Sequence, residues 1–307
     1  MEPEIICVPQ SGNHTTHLYF SPTNNEEIHG NILILHGMAE HHERYMEFIQ
    51  LLNSEGFDVY AYDHRGHGKA TPTTDLGYFA KKDGAAAVVG DAIAICNYIK
   101  ESARTPKLAV FGHSMGSLIL RNVIQQLDTM DCVIICGTTM PPAAMTNAGL
   151  KLANMLSFVL GPKRPSPLLN KILFESEDYT KICTRTKSDW LTRDEAIVDK
   201  YIEDPYCGFI CTTSMYRDLV QFTKNASTPE LIQKTRKDLP LYFIAGEQDP
   251  VGGFGSQVTE LYHLFGSLGF TDTAIKLYPE DRHEILNEFD KETVMQDCVA
   301  FFHKHLG

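Results

Sequence analysis

Ser114 lies between two glycines in the stretch VFGHSMGSL, directly after a short apolar run. Glycine in a packed element costs stability, so Gly112 and Gly116 indicate an unusual backbone angle or a very close approach. The G-x-S-x-G pattern is typical of a sharp strand-to-helix turn that exposes a serine as a nucleophile. Because a short pattern of this kind also arises by chance, the rest of the chain must supply the groups that activate the serine.

A nucleophilic serine needs a base, and a histidine is the expected side chain. His283 follows the last predicted strand in KLYPEDRHEILNE, with a loop before it and a helix after it. His36, His64 and His67 also follow strands, but they precede the serine in the chain. In chains with this kind of turn, the serine, the acid and the histidine follow one another in that order along the sequence. Only His283 fits this order, so we assign it the role of the base.

The base needs an acid to orient it, and two aspartates compete for this role. Asp249 follows the preceding strand in GEQDPVGG, where Pro250 favours an extended aspartate and a turn. Asp281 lies only two residues before His283 in the same loop, which suits a supporting role better. The sequence therefore predicts that Asp249 orients His283, although an aspartate before a proline is also a common turn residue.

Backbone N–H groups are expected to bind the oxyanion of an acyl-transfer intermediate. One donor comes from the residue after the nucleophile, which is Met115, and the other from the turn after an earlier strand. His36 and Gly37 end the first long apolar strand in LILHGMAEHHERY, so the next amide belongs to Met38. Met38 and Met115 are thus the predicted oxyanion donors.

The elements that must position these residues are apolar runs, each ending in Gly, Asp or Pro. The runs are 31–37, 58–63, 107–112, 132–137, 239–246 and 274–279. They are nearly continuous rather than alternating, which is typical of parallel strands covered by helices on both faces. Helical patterns at 43–56, at 83–102 and after Ser114 lie between them, and HLYF (17–20) is a candidate antiparallel edge strand. The pattern predicts an α/β fold.

About a hundred residues without a clear strand separate the fourth run from the fifth, and a structureless loop of that length is implausible. We predict an α/β core at 1–139 and 239–307 with a helical cap inserted at 140–238. Within the cap, the apolar segment 149–161 is too short to span a bilayer. Leu156 and Phe158 in this segment are candidates for an acyl-binding wall or a membrane-surface patch, and the alternative is the core of the cap.

Five motifs of this chain resemble those of a known superfamily and occur in the same order. They are LHGMAEHHERY, YDHRGHGKA, GHSMGSL, GEQDPVGG and YPEDRHEILNE. Together they resemble the α/β-hydrolase superfamily, in its monoacylglycerol lipase and lysophospholipase-like branch, which is filed in part with serine aminopeptidases. The resemblance implies a mostly parallel eight-stranded sheet with an inserted cap. It also implies Ser114 as nucleophile, Asp249 as acid and His283 as base, with the oxyanion bound by the Met38 and Met115 amides.

Composition and charge limit the classes of binding partner and the cellular location that we expect. The net charge is −12, which argues against nucleic acid because such binding depends on Lys and Arg neutralising phosphates. No window holds 18 consecutive apolar residues, so no transmembrane segment is expected, and the start MEPEIICVPQ lacks the pattern of a secretory signal. The eight cysteines form no C-x-x-C pair, which favours reduced, mostly buried thiols and a cytoplasmic location.

No metal or other cofactor is expected, since EHHE (40–43) lacks the spacing of two histidines on one helix face.

The predicted activity is hydrolysis of a small lipid-like carboxylic ester, with an apolar acyl chain, through an acyl-enzyme. Two alternatives stay open. An aminopeptidase would use cap carboxylates such as Glu175, Glu177 and Asp178 to hold the substrate amine, and a ligand-binding sensor would retain the triad without turnover. The oligomeric state is not predicted.

Overall fold

The computed structural model describes residues 3–11 and 14–307. The elements of the first half are β1 (Glu4–Pro9), β2 (Thr15–Ser21), β3 (Gly30–Leu35), α1 (Met46–Ser54), β4 (Phe57–Tyr62), α2 (Gly84–Ser102), β5 (Leu108–His113), α3 (Met115–Val123) and β6 (Cys132–Cys136). Those of the second half are α4 (Ala143–Leu160), α5 (Pro167–Phe174), α6 (Glu177–Ile182), α7 (Glu195–Glu203), α8 (Thr213–Ala226), α9 (Pro229–Ile232), β7 (Leu241–Gly246), α10 (Ser256–Ser267), β8 (Thr273–Tyr278) and α11 (Lys291–Leu306).

The eight strands form one sheet in the order β1-β2-β4-β3-β5-β6-β7-β8. Strands β3 to β8 pair in parallel, and β1 and β2 join one edge antiparallel. All six predicted apolar runs are strands of this sheet. The segment 17–20 lies within β2 and is antiparallel as predicted, but it is not the edge, because β1 pairs with its outer side. The predicted fold class is confirmed. Strand β1 is absent from the prediction: its apolar run, residues 5–8, is short, and most of its residues are exposed because only one face packs on the sheet.

The central strands are buried on both faces, and alternate residues enter two separate cores. Leu33 and Leu35 of β3 belong to the core under α2 and α3, whereas Ile32 and Ile34 belong to the core under α1 and α11. This two-sided burial explains why the strands read as continuous apolar runs rather than alternating ones. It also leaves their carboxyl ends as the edge where loops are free to carry polar groups.

Six helices, α4 to α9, lie between β6 and β7, in the residues predicted to form the cap. Helix α8 contacts α2 and α3 as well as α4, so this insertion packs directly on the helical layer of the core. The division into core and cap at 140 and 238 stays a prediction. Among the helices described, none is long and apolar enough to cross a membrane. All eight cysteines are unpaired, and six of them are buried.

Candidate functional site

The backbone of Ser114 has the strained conformation that the glycine pattern predicts. Ser114 joins β5 to α3 at φ +53° and ψ −118°. Residues other than glycine rarely adopt this backbone conformation. A Cβ on Gly112 would lie 2.7 Å from the Gly116 carbonyl oxygen, and a Cβ on Gly116 would lie 2.1 Å from the Leu35 carbonyl oxygen. Both glycines are therefore required by close backbone approach, and the turn they permit leaves Ser114 half-buried at the end of β5.

His283 and Asp249 meet in a buried hydrogen bond at the same edge of the sheet. His283 Nδ1 lies 2.9 Å from Asp249 Oδ2, and both side chains are almost completely buried. The other oxygen, Oδ1, accepts the Val251 N–H at 2.8 Å. An ionised carboxylate at Nδ1 favours the tautomer with hydrogen on Nδ1, which leaves Nε2 as an acceptor. The centre of the imidazole lies 4.8 Å from that of the His113 ring, at a tilt of 46°, and His113 precedes Ser114.

Asp281, the rival acid, has different partners. Its Oδ1 lies 2.8 Å from the guanidinium of Arg193, which comes from the inserted helices. Burial and the neighbouring carboxyl groups of Asp290 and Glu288 raise the pKa of Asp281 to about 8, although Arg193 acts in the opposite direction. The structure thus brings Asp249, and not Asp281, to the Nδ1 atom of His283.

In the turn after β3, the N–H groups on either side of Met38 are committed to hydrogen bonds. Gly37 N–H donates to Glu40 Oε1 at 2.6 Å, and Ala39 N–H donates to His67 Nε2 at 3.1 Å. Burial, followed by the charge of His36, lowers the pKa of His67 to about 3, so its Nε2 remains an acceptor. Within residues 3–11 and 14–307, the N–H of Met38 has no hydrogen-bond acceptor. This is the donor that the sequence predicts.

The direction of the Met38 N–H follows from the other end of its peptide group. Gly37 C=O accepts a hydrogen bond from His36 Nδ1 at 2.7 Å, and His36 Nε2 in turn accepts the N–H of His64 at 3.0 Å. Because a trans peptide is planar, its N–H points opposite to its C=O. A neutral His36 therefore fixes both ends of the Gly37–Met38 peptide group.

A buried charged network lies behind this turn and reaches the histidine loop. Glu40 pairs with Arg44 at 2.8 Å, and Arg44 makes two 2.6 Å hydrogen bonds to Glu284, the residue after His283. Glu40 Oε1 also lies 3.3 Å from His113 Nδ1. Burial alone would lower the pKa of His113, but the hydrogen bond to Glu40 raises it. The network joins the three loops that carry Met38, Ser114 and His283.

Residues of the insertion contact the histidine loop directly. Trp190 C=O accepts the N–H of His283 at 3.3 Å, Leu191 C=O accepts the N–H of Glu284 at 2.7 Å, and the Trp190 ring lies 5.0 Å from the imidazole. Arg282 donates to the carbonyl oxygen of Asp189 at 2.6 Å. This segment, 189–193, was not among the predicted site residues. Its sequence contains no motif that indicates a contact about a hundred residues away.

The two candidate acyl-wall residues point in different directions. Leu156 is half-buried and packs against the main core, whereas the Phe158 side chain is 90 % exposed and lines no enclosed space. Phe158 is one of the exposed apolar side chains of α4 and α5. The others are Met145, Met155, Val159, Leu160, Leu168 and Ile172. Leu156 remains a predicted wall residue, and Phe158 fits the alternative of a surface patch.

One group of side chains in the described part of the chain could hold a metal ion. His41, Asp204 and Cys207 place their ligand atoms within 4.8 Å of one another. His41 Nε2 and Asp204 Oδ2 already share a hydrogen bond at 2.9 Å, which accounts for the pairing of these two groups without a metal. Burial raises the pKa of the Cys207 thiol far above its usual range, which disfavours the thiolate that a metal needs.

The sheet order and its flanking helices define an α/β hydrolase. Residues 26–290 match the family model described as serine aminopeptidase, S33, and the chain belongs to that family.

Relatives and solved structures of similar shape agree with this assignment. The chain is 26% identical to a monoacylglycerol lipase of Mycolicibacterium smegmatis, over 92% of this chain and 91% of the relative. It is 24% identical to a phospholipase of Bacillus subtilis, over 90% and 95% respectively. A thermostable carboxyl esterase of Bacillus coagulans, solved with glycerol, superposes with a TM-score of 0.90 at 25% identity over the full length of both chains. The relatives confirm the predicted family and the class of carboxylic ester hydrolases.

Proposed function

We propose that the protein is a serine hydrolase that cleaves carboxylic esters with an apolar acyl chain, such as monoacylglycerols or lysophospholipids. The observation that carries the proposal is the buried His283–Asp249 hydrogen bond next to the strained Ser114 turn. The names of the lipase and phospholipase relatives support the choice of a lipid ester.

In the proposed mechanism, Ser114 attacks the ester carbonyl while His283 Nε2 takes the hydroxyl proton. Asp249 holds the imidazole tautomer and stabilises the imidazolium. The N–H groups of Met38 and Met115 bind the oxyanion, each contributing about 3 kcal/mol, as oxyanion donors do in other hydrolases. His283 then protonates the leaving alcohol, and water repeats the cycle on the acyl-enzyme. This mechanism requires no cofactor.

The aminopeptidase alternative is less well supported by the carboxylates that it requires. Glu175 pairs with Lys187 at 3.0 Å. The side chains of Glu177 and Asp178 are 83% and 57% exposed and lie near Lys181. These groups are neutralised at the surface, so they offer no buried negative site for a substrate amine.

A fluorophosphonate probe tests the proposed nucleophile. We expect it to label the wild type, and peptide mass mapping to place the adduct on Ser114. Ser114→Ala should abolish both labelling and hydrolysis, whereas Ser117→Ala, three residues away and fully buried, should retain labelling. Labelling of Ser114→Ala at the wild-type rate would reject the assignment, and an unlabelled wild type without turnover would favour a ligand-binding sensor.

The substrate class needs a panel of p-nitrophenyl esters, monoacylglycerols, lysophospholipids and aminoacyl amides. We expect hydrolysis of the esters and little or none of the amides. Preferential cleavage of the aminoacyl amides would instead identify an aminopeptidase on the same fold.

A further inference from the structure

Ala39, the residue after the predicted oxyanion donor Met38, has a left-handed backbone. Its φ is +53°, and its side chain is buried. A residue with a Cβ keeps this conformation only where its surroundings hold it there. The contacts of Ala39 therefore determine the shape of the turn that presents Met38.

Two of these contacts come from the insertion between β6 and β7, one from α7 and one from the loop that follows it. The carbonyl oxygen of Ala39 accepts the Tyr201 hydroxyl at 3.1 Å and the Gly208 N–H at 2.9 Å. Tyr201, in α7, is buried in a small apolar cluster with Leu191 and Cys207. Gly208 packs against it so closely that a Cβ there would lie 3.2 Å from the Tyr201 ring. The two donors thus form one preassembled clamp on a single carbonyl oxygen.

Side chains around the clamp fix it to the core. Asp204 Oδ2 lies 2.9 Å from Nε2 of His41, two residues after Ala39. The guanidinium of Arg44 lies 4.9 Å from the centre of the Tyr201 ring. The segment 201–208 is therefore joined to the turn by polar contacts on both sides of the clamp.

The clamp adds a second constraint to the turn that presents the Met38 N–H, beyond the His36 hydrogen bond that orients the Gly37–Met38 peptide group. The N–H of Ala39 is bonded to His67 and its C=O to the clamp, so both peptide groups that flank Ala39 are fixed. If Ala39 relaxed to a negative φ, these planes would rotate, and the chain at Met38 would follow. The core contacts of His36 and His67 hold the residues before Ala39, whereas both hydrogen bonds to the Ala39 C=O among the described residues come from the insertion.

We propose that Tyr201 is a positioning residue, which holds Ala39 in its left-handed conformation and so aims the Met38 N–H at the developing oxyanion. The inference rests on the proposed function, because it gives that N–H its role. Tyr201 has no contact with the reacting atoms in this role. Its hydroxyl acts through the carbonyl oxygen of Ala39.

The test removes only the hydroxyl, in Tyr201→Phe, and uses a p-nitrophenyl ester as substrate. We expect kcat to fall by about threefold to tenfold, the range for one lost hydrogen bond, with little change in KM. The inhibition constant of an alkylboronic acid, which forms a tetrahedral adduct with a serine, should rise by a similar factor. Tyr206→Phe is the matched control, because the Tyr206 hydroxyl has no hydrogen bond within the described residues, and it should retain wild-type kinetics.

A second variant separates positioning from general damage to the cap. Glycine adopts a positive φ without cost, so Ala39→Gly should restore part of the kcat that Tyr201→Phe loses. A loss of kcat that Ala39→Gly does not restore would assign Tyr201 a structural role and overturn the inference. An unchanged kcat in Tyr201→Phe would overturn it equally.

Hydrogen exchange followed by mass spectrometry gives a readout without turnover. Tyr201→Phe should accelerate exchange in the peptide that covers 36–41, while Tyr206→Phe should not. If the wild type is neither labelled nor active, the proposed function fails, and the exchange experiment still tests the clamp. Unchanged exchange at 36–41 in Tyr201→Phe would reject the clamp whatever the activity.

Discussion

At the scale of single residues, Asp249 and Asp281 differ in what they touch. Asp249 contacts the imidazole of His283, whereas Asp281 contacts Arg193. Because the carboxylate at Nδ1 fixes the tautomer, Asp249→Asn should lower kcat by about 10⁴-fold, as the corresponding change does in a triad protease. We expect Asp281→Asn to cost far less, because it acts only through the position of the loop.

Steady-state kinetics of the two variants on one ester measures this difference. The free energy of unfolding of each variant, from urea titration, controls for loss of folded protein. A larger kcat loss in Asp281→Asn than in Asp249→Asn would reverse the assignment.

The polar residues that follow strands could be predicted from the sequence, whereas contacts between distant segments could not. Asp249 and His283 follow strands in the required order, and the structure brings them together. Tyr201 and Trp190 lie in the insertion, and nothing in their local sequence indicates contacts with Ala39 or His283. Those contacts depend on how the insertion folds back over the sheet.

At the scale of elements, strands with two buried faces were predictable and the exposed edge strand was not. The apolar run of β5 is fully buried, so hydrophobicity alone indicates it. Strand β1 is stabilised by pairing with β2, and most of its residues face solvent. Its position is set by hydrogen bonds to a neighbour, for which a single sequence contains no direct signal.

Helices α2 and α8 meet at a buried carboxyl group that should make stability depend on pH. Asp218 lies so close to Gly84 that a Cβ there would be 2.1 Å from Oδ2, an oxygen without a hydrogen-bond partner among the described residues. Burial raises the pKa of Asp218 from 3.8 to about 6, although Arg217 opposes it. The native state therefore keeps this proton to a higher pH than the unfolded state does. Between about pH 4 and pH 6, this group makes the native state less stable as pH rises.

We expect Asp218→Asn to remove this dependence, which amounts to roughly 3 kcal/mol for a shift of about two pKa units. The measurement is the free energy of unfolding from urea titrations at pH 4, 5, 6 and 7, for wild type and variant. Asp238, whose side chain is 80% exposed, provides the control Asp238→Asn, which should follow the wild type. A difference between wild type and Asp218→Asn that stays constant over this range would contradict the prediction.

At the scale of the whole molecule, charge and exposed apolar area indicate different kinds of surface contact. A net charge of −12 disfavours electrostatic attraction to anionic lipid. The exposed apolar side chains of α4 and α5 would instead contact a lipid bilayer by burying their apolar area in it. Contact with a membrane surface stays a prediction.

The two sides of α4 should differ in their effect on acyl-chain preference. Each methylene buried in an apolar pocket contributes about 0.8 kcal/mol, so kcat/KM should rise roughly threefold to fourfold per methylene until the pocket is full. Leu156 packs inward and Phe158 points outward. Leu156→Asp should flatten the rise along a series of p-nitrophenyl esters, whereas Phe158→Asp, on the same helix, should leave the slope as in the wild type. A flat series in the wild type would reject an acyl pocket, and an unchanged slope in a folded Leu156→Asp variant would place its wall elsewhere.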